Sequence, residues 1–135
     1  MYDILRTDVG VSMNCKSGHI QMKGSEVFKN AVEKNIRISE SVKSLLKSNN
    51  FSIEDVDLLF PHEANQRIVN SIANKLNLPD EEVTVNIEKH ANCSAASISL
   101  ALSELKSTKG IERVMLIVLI EFSAKTTWGS ILVRW

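Results

Sequence analysis

The chain has 135 residues, a length that suits one compact domain burying about two-thirds of its unfolded surface. Sixteen basic and sixteen acidic residues cancel, so no global field points to nucleic acid or to an anionic membrane, and any electrostatic recognition has to be local. The longest apolar run, Val114 to Ile120, is too short to cross a bilayer, and MYDILRTDVG has neither the basic region nor the apolar core of a signal peptide. A cytoplasmic protein is expected. The two cysteines lack CxxC or metal-ligand spacing, so they read as reduced thiols and small buried hydrophobes.

In chain order, residues 1–23 form a poorly defined N-terminal segment, with only fragments such as VGVSM at 9–13 hinting at a strand. Residues 25–48 place Val27, Phe28, Ala31, Val32, Ile36, Val42, Leu45 and Leu46 at three- and four-residue spacings behind Ser25, which predicts a long amphipathic helix with Ser25 as its cap. VDLLF at 56–60 is a buried strand stopped by Pro61, which has no N–H for a ladder. Residues 64–77 put Ile68, Val69, Ile72, Ala73 and Leu76 on one helical face and Arg67, Ser71 and Lys75 on the other. VTVNI at 83–87 alternates as a second strand and runs into KHANC. A helix over 94–106 opens with SAAS, small enough for close approach of a neighbour. Val114 to Ile120 is a strand covered on both faces, EFSAKTTWGS turns, and ILVRW at 131–135 is the last strand. The alternating order predicts an α/β fold with a mixed, mostly parallel sheet and helices on both faces, the first strand missing or degraded.

In such folds functional groups collect at the carboxyl ends of parallel strands. Two strand ends here deliver PHEAN and KHANC, each a histidine followed within three residues by asparagine. Several chemistries fit. Cys93 at a helix start, with His90 or His62 as base, would make a cysteine hydrolase. His62, Glu63 and His90 could be offered to a metal, although HEANQ has Gln66 where a zinc-protease motif needs histidine. His62, His90 and Asn92 could act as neutral donors to one carbonyl oxygen, an oxyanion hole for an enolate or a tetrahedral intermediate. Alternatively, each residue caps the helix that follows its strand.

PHEANQRI, NIEKHANCSAAS and TTWGSILVRW, in that order and at these separations, resemble the C-terminal half of β-ketoacyl-acyl carrier protein synthase III, from about Gly24 to Trp135. The resemblance implies that 24–135 is the C-terminal domain of a thiolase-like fold, in which two similar halves pack as five α/β/α/β/α layers. It implies a decarboxylative condensation of acetyl-CoA with malonyl-acyl carrier protein at the start of fatty acid synthesis, with no metal or other cofactor. In the family a cysteine of the N-terminal half carries the acyl group. His62 and Asn92 match the family's histidine and asparagine, assigned to the oxyanion hole that favours decarboxylation of the malonyl thioester. By the same resemblance Cys93 is a cap residue and His90 is structural. Arg67, Lys29 and Lys75 fall where the family presents a basic surface to the acyl carrier protein, and the family forms homodimers.

The sequence departs from that pattern in four places. Neither Cys15 nor Cys93 sits in a nucleophile motif, so the acyl-enzyme would need a nucleophile half encoded separately. The missing first strand is expected to leave a gap in the middle of the sheet and a poorly stable chain. Ser123, Ala124 and Lys125 stand where the family has glycines close to the thioester. Glu63 replaces a glutamine beside His62, a carboxylate expected to favour the imidazolium. Two readings result: the C-terminal portion of a condensing enzyme, or a non-catalytic remnant or split-gene subunit. The cysteine hydrolase is a third.

Overall fold

The computed structural model describes residues 5–7, 18–108, 110–122 and 127–135. The expectations about VGVSM, Cys15 and Ser123 to Lys125 lie outside these residues. The elements run β1 (Leu5–Thr7), β2 (Ile20–Met22), α1 (Gly24–Ser48), β3 (Leu58–Pro61), α2 (Gln66–Leu76), α3 (Ile87–His90), α4 (Ser97–Ser107), β4 (Leu116–Phe122) and β5 (Trp128–Arg134). β1 and β2 pair antiparallel, away from the main sheet.

The main sheet has the order β3-β4-β5, parallel between β3 and β4 and antiparallel between β4 and β5. It is therefore mixed with one parallel pair, rather than mostly parallel. β4 has a partner on each side, so the described sheet has no gap in its middle, contrary to the expectation. Alternation along the strands sends successive side chains to opposite faces. Leu59, Leu116, Val118, Ile120 and Phe122 join the core with α1 and α2, while Leu58, Phe60 and Ile117 meet Ala101 of α4. Helices thus cover both faces, as expected.

α1 begins one residue before the expected start, and Ser25 does not cap it. The Lys23 carbonyl accepts the Glu26 and Val27 N–H groups at 3.0 Å, without a side-chain cap. Its buried stripe is Ala31, Asn35, Ile38, Ser39, Val42 and Leu46, with Ile36 turned to solvent. The stripe differs from the predicted one because α1 packs on β5 as well as on α2. α2 is capped by Asn65, whose Oδ1 accepts the Arg67 N–H at 2.9 Å, and it ends at Asn77 in the left-handed conformation, φ 57°.

The expected strand at 83–87 is reduced to a single bridge between Val83 and Leu59, with the Thr84 N–H on the Leu59 carbonyl at 2.9 Å. The next rung would need an N–H from residue 61, and proline has none. The Asn86 N–H, which would have returned to the Pro61 carbonyl, goes to the Glu63 carboxylate at 2.8 Å. Freed from the ladder, the chain turns at once into α3. No described helix is long and apolar enough to cross a membrane.

Candidate functional site

His62 follows β3 directly and is 7% exposed. Its N–H extends the parallel ladder to the Ile120 carbonyl at 2.7 Å. The ring meets Phe122 edge to face, centroids 5.2 Å apart, and Nδ1 lies 3.5 Å from Glu121 Oε1 without forming a hydrogen bond. The end of β4 therefore fixes the imidazole, with Nδ1 toward Glu121, leaving Nε2 as the nitrogen that can face a substrate. Sequence reasoning missed Glu121 and Phe122 because it assigned EFSAK to a turn; the apolar Phe122 two positions beyond Ile120, a continuation of the strand's period, was the available signal.

Glu63 does not turn to His62. Its fully buried carboxylate accepts the Asn86 N–H at 2.8 Å, and the Asn86 carboxamide, oriented to donate, lies 2.6 Å from Oε1 and 3.1 Å from Oε2. Burial pushes the Glu63 carboxyl above the ordinary carboxylate range, against the N–H groups of Asn86 and Ile87 and the neighbouring His62 and His90, which pull it down. The carboxylate beside the imidazole nitrogen is that of Glu121, not the Glu63 singled out from sequence.

The second strand end is built differently. Asn92 is exposed, in the bend between α3 and a 3-10 turn at Ser94–Ala96. Its Oδ1 accepts the Ser94 N–H at 2.9 Å, which leaves the Nδ2 hydrogens without a partner among the described residues. Capping and donation are thus compatible, since the oxygen performs one and the nitrogen is left for the other. Ala91, at φ 57° and ψ −164°, and Ser94, at φ 55°, hold strained backbone on either side. No hydrogen bond joins Asn92 to His62 among the described residues.

His90 faces α4, with Nε2 3.6 Å from Glu104 Oε2. Lys89 donates to the other Glu104 oxygen, and that bond holds the Glu104 carboxyl below its ordinary value. Cys93 directs its thiol to the His90 carbonyl at 3.0 Å, so its proton is engaged by backbone rather than by an imidazole. Among the described residues no three His, Cys, Asp or Glu side chains are grouped to hold a metal. Arg67, Lys29 and Lys75 are all exposed, on α2, α1 and α2. An open groove of about 320 Å³ between Thr84–Asn86 and α4, bordered by Lys89, Ala101 and Glu104, includes neither His62 nor Asn92.

A family profile described as 3-oxoacyl-(acyl-carrier-protein) synthase III C terminal matches residues 46–135. The β-ketoacyl-(acyl-carrier-protein) synthase III of Rickettsia bellii is 48% identical over 134 residues, covering 99% of this chain and 41% of that protein. The enzyme of that name from Rickettsia felis is 47% identical with the same coverage. Among solved structures, 3-oxoacyl-(acyl carrier protein) synthase III of Pseudomonas aeruginosa superposes with a TM-score of 0.82 at 36% identity, over 98% of this chain and 40% of that one. The Aquifex aeolicus structure gives 0.79 at 38% identity, over 98% and 44%. The chain spans about two-fifths of the length of the curated relatives it matches, and the similarity reaches N-terminally past Gly24, where the motifs alone had placed its start.

Proposed function

Because this chain belongs to the 3-oxoacyl-(acyl-carrier-protein) synthase III C-terminal family, we propose that it supplies the decarboxylation half of a condensing site, with His62 and Asn92 as its two hydrogen-bond donors. The substrate is the malonyl thioester of an acyl carrier protein. As the bond between its central carbon and the carboxylate breaks, carbon dioxide leaves and the electron pair passes toward the thioester oxygen. Donors aimed at that oxygen stabilise the charge as it develops. The enolate then attacks an acyl thioester held by a cysteine, which we assign to an N-terminal half of the kind found in this family; the released thiolate completes the exchange.

The observation that carries this reading is the state of the two side chains. His62 is locked by the end of β4 with Nδ1 turned to Glu121. Asn92 has its oxygen tied to Ser94 and its amide hydrogens free for a ligand. Arg67, in the first turn of α2 only five residues after His62, is the leading candidate for carrier-protein contact, with Lys29 and Lys75 as outer members. Rim cations of this kind act mainly on association rate and its salt dependence.

The test is decarboxylation of malonyl-acyl carrier protein by the purified chain. We expect slow carbon dioxide release and no condensation with acetyl-CoA; His62→Ala and Asn92→Ala should each lower the rate by about a hundredfold or more. Condensation by the chain alone would break the division between halves. Decarboxylation indifferent to both substitutions would sink the donor assignment. The second reading, a non-catalytic remnant or split-gene subunit, draws on the half-covered apolar residues around α4; it predicts no turnover by the chain alone, and adding a nucleophile half separates a subunit, which regains condensation, from a remnant, which does not.

A further inference from the structure

Glu63 is the one fully buried charged side chain among the described residues, and its acceptor capacity is directed entirely at the other strand end. The backbone N–H of Asn86 donates to it at 2.8 Å, and the Asn86 carboxamide reaches both of its oxygens. A carboxylate offers two oxygens and no donor, so one side chain can gather both the backbone N–H and the carboxamide of a residue more than twenty positions away. We infer that Glu63 is a positioning residue, which sets the separation of the donors His62 and Asn92 by clamping the 86–92 bend to the end of β3. This inference rests on the donor reading of those two residues.

The mechanical path is short. Glu63 adjoins His62 in the chain, so its clamp and the imidazole share one backbone segment. On the far side, the Asn86 carbonyl accepts the Lys89 and His90 N–H groups at 2.9 and 3.1 Å, and the Ile87 carbonyl accepts that of Ala91 at 2.8 Å. Ala91 then leaves the turn with φ 57° and ψ −164°, a conformation held only by the structure around it. Asn92 follows directly. Removing Glu63 strands buried N–H groups at the foot of this turn and frees the strained residue above them. Glutamine would preserve the link: its oxygen takes the Asn86 N–H, and its amide donates to Asn86 Oδ1 once that carboxamide rotates. Leucine keeps the approximate volume and breaks the link.

Amide hydrogen exchange on the full 135-residue chain reads the clamp without any enzymatic assay. Glu63→Leu is expected to speed exchange at Asn86, His90 and Ala91 by about tenfold or more relative to Ile117 and Val118, and Glu63→Gln to return it to near the parent value. In the decarboxylation assay Glu63→Leu should lower kcat about tenfold with KM little changed, again rescued by glutamine. Unchanged protection over 86–92 in Glu63→Leu overturns the inference, as does a loss that glutamine fails to restore. If Glu63→Leu also loses protection in β4, Asn86→Ala decides: faster exchange confined to the bend supports the clamp, and none refutes it. A parent chain without decarboxylation but with this exchange pattern would remove the donor reading and leave the clamp standing.

Discussion

The two faces of the sheet are built from the same three strands and finished to different degrees. Toward α1 and α2, Leu59, Val118 and Ile120 meet Val42, Leu46, Ile72 and Leu76, every one of them at 1% exposure or less. Toward α4, Leu58, Phe60 and Ile117 are buried over the β3 side, but Ala101 is the one buried apolar residue of the helix. Ile98, Leu102 and Leu105 are half-buried, as is Leu119, whose cross-strand partner Ile131 is 60% exposed. Two helices close one face; a single short helix with small residues leaves the β5 side of the other open. The contrast shows that a sheet can satisfy its backbone and still lack cover for its side chains.

The contrast can be broken by substitution. Ile72→Ala on the closed face should cost about 2–5 kcal/mol in urea unfolding, since a rigid enclosure cannot collapse around the cavity. Leu119→Ala on the open face removes a comparable side chain already half in water and should cost about 1 kcal/mol; equal costs at the two positions would erase the distinction. A smaller effect comes from acid. Lys89 holds the Glu104 carboxyl below its ordinary 4.5, so this pair stabilises the fold fully above that pH, and the contribution is lost as pH falls through the depressed folded value. Glu104→Gln should therefore flatten part of the decline in Tm on acidification. Glu63 works with the opposite sign: its raised carboxyl favours the protonated folded state, so stability falls as pH rises from 4.5 toward its folded value. Smallest of all, Ile131→Ser should change stability by no more than about 0.5 kcal/mol while reducing self-association in sedimentation. A cost above about 1 kcal/mol would mean that Ile131 is already covered.

What the sequence revealed follows from the range over which its signals act. Helical periodicity located α2 and α4 to within a few residues, and the run beginning at Val114 announced β4. The registers went astray where tertiary partners decide. TWGS looked like a turn because of Gly129 and Ser130, yet β5 begins at Trp128, paired with Phe122. VTVNI has the alternation of a strand, but Pro61 withholds the rung it needs and Glu63 takes the Asn86 N–H. Of the candidate site, His62 and Asn92 could be picked out, and so could Glu63. What each faces could not, because Glu121 lies 59 residues beyond His62 and Asn86 lies 23 beyond Glu63. Local pattern carries no information about such meetings.

The register of the sheet also has a consequence for the order in which the molecule assembles. β4 and β5 are joined by a short connection and can zip as a hairpin, whereas pairing Leu58 with Ile117 closes a loop spanning 59 positions. Loop closure on that scale slows pairing, since entropy is lost before contacts compensate it. The β3 to β4 junction is therefore expected to be the late event in folding. Glu121 and Phe122 reach His62 only through that junction, so the imidazole is left without its neighbours until the slowest contact has formed. A fluorescence or NMR probe at His62 during refolding would accordingly report completion, lagging behind probes in the hairpin.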